Sequence, residues 1–201
     1  MKQLIFIHGG MVFPDNESCC ETLKTREYNP FQERLRRKDF LKEKLGDKYE
    51  VIKPEMPNKH MACYQARKIW FEKIFPYLND EELTMIGHSL WWMFLLKYIS
   101  ENWFPKKIKQ LHLASSCLDE TDMPREEAYM GDFLFDLETI PKIQNFVEKI
   151  FIYHSTDDPV VPYSHAERLH TYLPKAQLIT LTDRGHIIQI EFPELLENIL
   201  Q

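Results

Sequence analysis

Six short apolar runs alternate with stretches of helical periodicity, and this alternation restricts what the chain can fold into more than any other property it has. The runs are Lys2–Ile7, Tyr49–Lys53, Leu83–Ile86, Ile108–Leu113, Lys149–Tyr153 and Gln177–Leu181. They are short for helices and several end at Gly or Pro, so they read as buried strands. Helices are predicted over Phe31–Leu45 (apolar at Phe31, Leu35, Leu41 and Leu45, with Gly46 as the stop), Met61–Phe75, Leu90–Ile99, Ala166–Leu173 and Pro193–Leu200. A strand–helix alternation of this kind predicts an α/β chain: a mainly parallel six-stranded sheet with helices on both faces, a three-layer α/β/α sandwich. The 201 residues suffice for one such domain spanning 1–201. Functional groups in sheets of this type gather at the carboxyl ends of the strands.

One segment breaks the alternation. Residues 115–145 mix acidic residues with Met130, Phe133, Leu134, Phe135 and Leu137, and read either as a lid-like excursion over the sheet or as a surface loop with one packed helix. The formal net charge of −6 argues against a nucleic-acid partner, which needs a basic footprint. The local basic cluster Arg34, Arg36, Arg37 and Lys38 is interleaved with Glu33, Asp39 and Glu43 and reads as a solvated helix face. No apolar run reaches the roughly 20 residues of a membrane helix, and Lys2 is followed by too short an apolar run for a signal peptide. A cytoplasmic protein without a membrane partner is therefore expected. Cys19, Cys20, Cys63 and Cys117 show no metal-binding spacing and are expected to be free thiols, with no metal.

Three motifs then fall at three strand ends. Gly87-His88-Ser89-Leu90 follows the third strand and opens a helix, the context of a nucleophile elbow, in which a sharp turn lifts a serine hydroxyl clear of the sheet. Taken alone, Ser89 could equally be a buried helix cap. Ser155-Thr156-Asp157-Asp158-Pro159 follows the fifth strand and offers two carboxylates, Asp157 and Asp158, between which the residues alone do not choose. Asp183-Arg184-Gly185-His186 follows the sixth, where Gly185 lets the chain turn so that His186 reaches back over the sheet. Serine, aspartate, histidine, separated by 69 and 28 residues, is the chain order of the α/β-hydrolase triad. The order carries the reading where each motif alone is weak. His8-Gly9-Gly10-Met11 after the first strand stands where a second oxyanion donor belongs. The backbone N–H of Gly10 is the first choice, that of Met11 the second, and Leu90 supplies the other donor. His8 reads as structural.

With these residues in place, the chain resembles the small, minimal α/β-hydrolases related to the retinoblastoma-binding serine hydrolase and the bacterial YdeN proteins. The resemblance spans nearly the whole chain and rests on IFIHGG, PEMPNK, GHSL, HSTDDPVVP and RGHIIQIEFPELL. It implies a minimal α/β-hydrolase with little or no cap, Asp158 (directly before the proline) as the acid, and esterase activity on short acyl esters without a cofactor. It leaves the natural acyl substrate and the oligomeric state open. One departure matters. The family reads Gly-His-Ser-x-Gly-Gly, whereas this chain has Trp91 and Trp92 after Ser89-Leu90. An indole at the first position must find a cavity or push the turn aside, at a typical cost of about 1–3 kcal/mol. Two expectations follow from this departure. Trp91, with His88 and Met11, walls the substrate pocket; or the elbow is impaired and the chain is a hydrolase-fold binding protein.

Overall fold

The computed structural model describes residues 1–7, 9–31, 37–124 and 129–201. His8, Glu33, Arg34 and Arg36 lie outside these, as does the first part of the helix predicted over Phe31–Leu45. In chain order the elements are β1 (Lys2–Ile7), α1 (Asn16–Thr25), α2 (Arg37–Leu45), β2 (Tyr49–Ile52), α3 (Tyr64–Glu72), β3 (Leu83–His88), α4 (Leu90–Glu101), β4 (Ile108–Ala114), β5 (Val147–Ser155), α5 (Ser164–Tyr172), β6 (Gln177–Leu181) and α6 (Pro193–Ile199). The strands form one six-stranded sheet in the order β2-β1-β3-β4-β5-β6, with every described pair parallel.

Strand side chains alternate between faces, and the two faces feed two separate cores. Ile5, Ile7, Met85, Leu111, Leu113, Ile150 and Ile152 point to one side, where α3, α4 and α5 bring Phe71, Trp92, Phe94 and Leu169. Leu4, Phe6, Ile86, Phe151 and Tyr153 point to the other, where α2 and α6 bring Leu41, Leu45, Leu195 and Ile199. The three-layer sandwich follows directly. Nine of the twelve residues of α4 are buried, which makes it the central helix of its layer and anchors the serine at its start. The first connection runs from β1 outward to β2, and the next returns to β3 on the other side of β1. The crevice between β1 and β3 at their carboxyl ends is thus a topological switch point.

Several boundaries differ from expectation for local reasons. Helix α1 lies outside the expected elements: none of its residues is fully buried, and its start is set by Asp15, whose side chain accepts the Ser18 N–H at 2.7 Å. Helix α3 begins at Tyr64 rather than Met61, because both carboxylate oxygens of Asp132 accept the Tyr64 N–H, at 2.8 and 2.9 Å. Strand β5 starts at Val147, with exposed Glu148 bridging Lys107 and Lys109 at 3.3 and 2.8 Å. Within 115–145, two 3-10 segments, Gly131–Phe133 and Leu137–Asn145, replace the one packed helix, and Met130, Phe133, Ile140 and Ile143 are buried against the first core. Arg37 corrects the solvated-face reading. It is buried, stacks 5.4 Å from the Phe192 ring centroid, and donates to the carbonyls of Ile187 and Gln189. Among the described residues no helix is long and apolar enough to cross a membrane.

Candidate active site

Ser89 sits at φ 55°, ψ −139°, a left-handed conformation that costs a non-glycine residue about 1–3 kcal/mol and is held only where the surroundings dictate it. Its N–H donates to the Ala114 carbonyl of β4 at 3.0 Å, and its own carbonyl accepts the Trp92 N–H at 3.2 Å. The turn is thereby tied to the neighbouring strand on one side and to the first turn of α4 on the other. Two glycines make room for it. A Cβ on Gly9 would lie 2.9 Å from the Ser89 Cβ and from the His88 carbonyl, so the loop after β1 packs backbone-first onto the elbow. A Cβ on Gly87 would lie 2.7 Å from that of Trp92, so the missing side chain at Gly87 accommodates the second tryptophan.

His186 reaches the serine from the end of β6. Its Nε2 lies 2.9 Å from Ser89 Oγ, and its Nδ1 lies 3.0 and 2.9 Å from the two oxygens of Asp158. A carboxylate only accepts, so Nδ1 carries the proton and donates it, leaving Nε2 free to accept from the serine hydroxyl. The Nε2 of His88 donates to the His186 carbonyl at 3.0 Å, with the two rings 5.2 Å apart, and Arg37 holds the carbonyl of Ile187 that follows. The loop carrying the histidine is therefore gripped on both sides.

Asp158 has no exposed side-chain surface. Burial by itself would raise its pKa, but donation from His186 and from the N–H groups of Val160 and Val161, at 2.9 and 3.0 Å, holds the carboxyl below its ordinary value. The Nε2 of His154 donates to the Val161 carbonyl at 2.9 Å and stands 3.6 Å from Asp158 Oδ2. Burial lowers the pKa of His154, so it faces the acid as a neutral ring. Asp157 has a different task. It accepts from Ser155 Oγ and, at 3.1 Å, from the Gly185 N–H, tying the ends of β5 and β6 together without touching the imidazole.

A cavity of about 20 Å³ opens beside Ser89, walled by Met11, Val12, Cys117, Met123, Tyr129 and Val161, with Gly10 and Leu90 at its edge. Burial pushes the Cys117 thiol up to about 12, so it is a neutral apolar wall and no nucleophile. Of the three expected pocket residues, Met11 lies in this wall. His88 is turned to the His186 backbone, and Trp91 to Arg67 and Phe133, 3.4 Å from the Arg67 guanidinium carbon and 6.2 Å from the Phe133 centroid. Both indoles are buried and the elbow keeps its hydrogen bonds, so neither tryptophan displaces the turn. A larger cleft of about 360 Å³, between Glu50, Trp70, Lys73 and Tyr77, lies at the sheet's β2 edge and shares no residue with the cavity at Ser89. Among the described residues no three His, Cys, Asp or Glu side chains converge as a metal-binding group. Sequence reasoning missed Arg37, Arg67 and His154. Arg37 acts on a loop some 150 residues away, Arg67 on a turn six to nine residues before it, and His154 on the segment just after β5; only Arg67, a charge within the apolar pattern of α3, left a trace in the sequence.

Residues 138–191, which carry Asp158 and His186, match the family described as TAP-like protein. No curated protein matches the sequence. Among solved structures, the ydeN gene product of B. subtilis superposes with a TM-score of 0.71 at 18% identity, covering 100% of this chain and 97% of that one. The meta-cleavage product hydrolase of Pseudomonas fluorescens IP01 gives 0.70 at 14%, over 100% and 89% of the two chains. A lipase-esterase related protein of Clostridium acetobutylicum gives 0.66 at 12%, over 99% and 93%. The chain has the α/β-hydrolase fold and resembles YdeN in size and architecture.

Proposed function

We propose that the chain is a serine hydrolase that cleaves carboxylic esters of short acyl groups through an acyl-enzyme. The observation that carries this reading is the unbroken hydrogen-bonded line Ser89 Oγ–His186 Nε2, His186 Nδ1–Asp158, with the serine strained at the head of α4. In the first step His186 takes the serine proton, and Oγ attacks the ester carbonyl carbon. The negative oxygen is met by the Leu90 N–H and by that of Gly10, with Met11 as the other candidate. Donors of this kind are worth about 2.7–4 kcal/mol each in a well-studied protease. The intermediate collapses, His186 returns the proton to the leaving alcohol, and Ser89 keeps the acyl group. Water then attacks, with His186 again as base, and releases the acid. No cofactor enters any step.

The cavity supports the acyl-size part of the proposal. About 20 Å³ is room for one water-sized group, enough for the methyl of an acetyl ester. A fluorophosphonate probe should label wild-type protein at Ser89 and leave Ser89→Ala unlabelled. Hydrolysis of p-nitrophenyl esters should fall by about tenfold or more from acetate to octanoate, since each extra methylene would meet the wall rather than space. Folded protein that is neither labelled nor active on acetate would sink the proposal; a preference for octanoate would sink its acyl-size part.

A further inference from the structure

Arg67 is the most heavily buried cation described in the chain, with no exposed surface. No carboxylate pairs with it among the described residues. The nearest in charge, Asp132, spends both oxygens on the Tyr64 N–H. Its guanidinium carbon instead lies 3.4 Å from the Trp91 ring centroid and 4.6 Å from that of Phe133. Its Nη2 donates to the carbonyls of Asn58 and Met61, at 2.7 and 2.8 Å, while Nε and Nη1 find no hydrogen-bond partner among the described residues. An apolar side chain of similar volume would fill the same space without leaving buried donors unpaired. What the guanidinium adds is a flat face and two directed bonds.

Both features converge on the loop after β1. The turn that Arg67 holds begins at Asn58, itself at φ 53°, and closes with the Met61 N–H on the Asn58 carbonyl at 3.1 Å. Between these ends, the His60 carbonyl accepts the Phe13 N–H at 2.9 Å, stitching the turn to the segment that contains Gly10 and Met11. Trp91 Nε1 and the Lys59 carbonyl lie 3.2 and 3.8 Å from the point a Gly10 Cβ would occupy. Gly10 is thus bracketed by an indole and a turn that one side chain fixes. Trp91 is also the residue after Leu90, whose N–H is the other proposed oxyanion donor.

We infer that Arg67 and Trp91 form a positioning pair: the guanidinium, stacked on the indole and bonded to the Asn58–Met61 turn, sets the place of the Gly10 and Met11 N–H groups relative to that of Leu90. The inference rests on the esterase reading for its effect on rate, but not for its effect on the loop. Tryptophan in place of a small residue after the nucleophile is, on this view, one half of a matched contact.

The test uses Arg67→Met, Arg67→Lys, Trp91→Leu and the double variant Arg67→Met/Trp91→Leu, each checked for wild-type far-ultraviolet circular dichroism and a cooperative thermal transition. With p-nitrophenyl acetate, Arg67→Met should lose about 100-fold in kcat with KM changed by less than about threefold, the signature of misplaced transition-state donors. Affinity for methylboronic acid, whose tetrahedral adduct fills the oxyanion site, should fall in proportion. The pH profile of kcat/KM should drop in height without moving along the axis. Arg67→Lys keeps the charge but not the flat fork, and should lose about tenfold; it also decides the question if the methionine variant fails to fold. The double variant should be no worse than Arg67→Met. Hydrogen exchange at residues 9–13 should rise about tenfold in either Arg67 variant. Unchanged kcat in a folded Arg67 variant, unchanged exchange at 9–13, or losses that multiply in the double variant would each overturn the pair. If wild-type protein neither turns over acetate nor is labelled at Ser89, the esterase reading falls, and exchange at 9–13 alone decides the inference.

Discussion

Asp158→Asn is expected to lower kcat on p-nitrophenyl acetate by about 10⁴-fold, the loss that the corresponding change produces in the serine-protease triad, whereas Asp157→Asn should cost less than about tenfold. The reasoning is a matter of protons. Asp158 Oδ1 accepts two backbone N–H groups, from Val160 and Val161. An asparagine would keep its carbonyl oxygen there, which turns its NH₂ toward His186 Nδ1. The imidazole must then accept at Nδ1 and carry its proton on Nε2, where it meets Ser89 and cannot take the serine's proton. At Asp157 an asparagine oxygen can still accept from Gly185 N–H, so the histidine loop keeps its shape. Comparable losses in both variants, or a larger loss at Asp157, would refute the assignment of Asp158 as the acid.

The second large effect concerns pH and stability. His112 is wholly buried, with Nδ1 2.9 Å from Tyr153 Oη, Nε2 3.1 Å from Gln110 Oε1, and its ring stacked 4.7 Å from that of Phe151. Burial lowers its pKa to about 3. His154 and His165 are lowered by the same cause. Such groups stay neutral in the folded protein while the unfolded chain takes up protons below about pH 6.5. Stability is therefore full above that pH and declines as pH falls toward the folded values; His112 alone accounts for about 3 kcal/mol lost by pH 4. The lowered carboxyl of Asp158 acts in the same direction further down, because its contribution disappears as pH falls through its folded pKa. Urea unfolding at pH 7.5, 5.5 and 4.0 should show this decline, and His112→Gln should make it shallower. A wild-type stability that is level down to pH 4, or an undiminished slope in the variant, would contradict the account.

The strand ends were the legible part of this molecule. Short apolar runs read as strands rather than helices, and chemistry-bearing residues directly after them are carried to one edge of the sheet. Ser89, His186 and the Gly9-Gly10 loop could therefore be placed from the sequence. Asp157 and Asp158 could not be separated by their residue types, because one turn offers both; their partners differ only in the fold, where Asp158 faces His186 Nδ1 and the two valine N–H groups while Asp157 faces the Gly185 N–H. Helix α1 left little trace because it has no fully buried residue and a polar sequence. Arg37 read as solvent-facing because its neighbours are charged, yet its bonds go to Ile187 and Gln189, at the far end of the chain. The tryptophan pair could not be placed for a related reason. The crowding it implied depends on what lies opposite, and Gly87, Gly10 and the Arg67 face provide the space.

The strand order has a consequence for how the molecule comes into being. Gln3 pairs with Leu83, and Ile108 with Val147, and no two described neighbours in the sheet are joined by a hairpin. Every pairing must close a long loop before it is rewarded, which slows folding. Ser89, Asp158 and His186 hang from β3, β5 and β6, so they meet only once those separate loops have closed. By this topology the Ser89–His186 hydrogen bond belongs to the completed sheet and not to any single strand–helix unit.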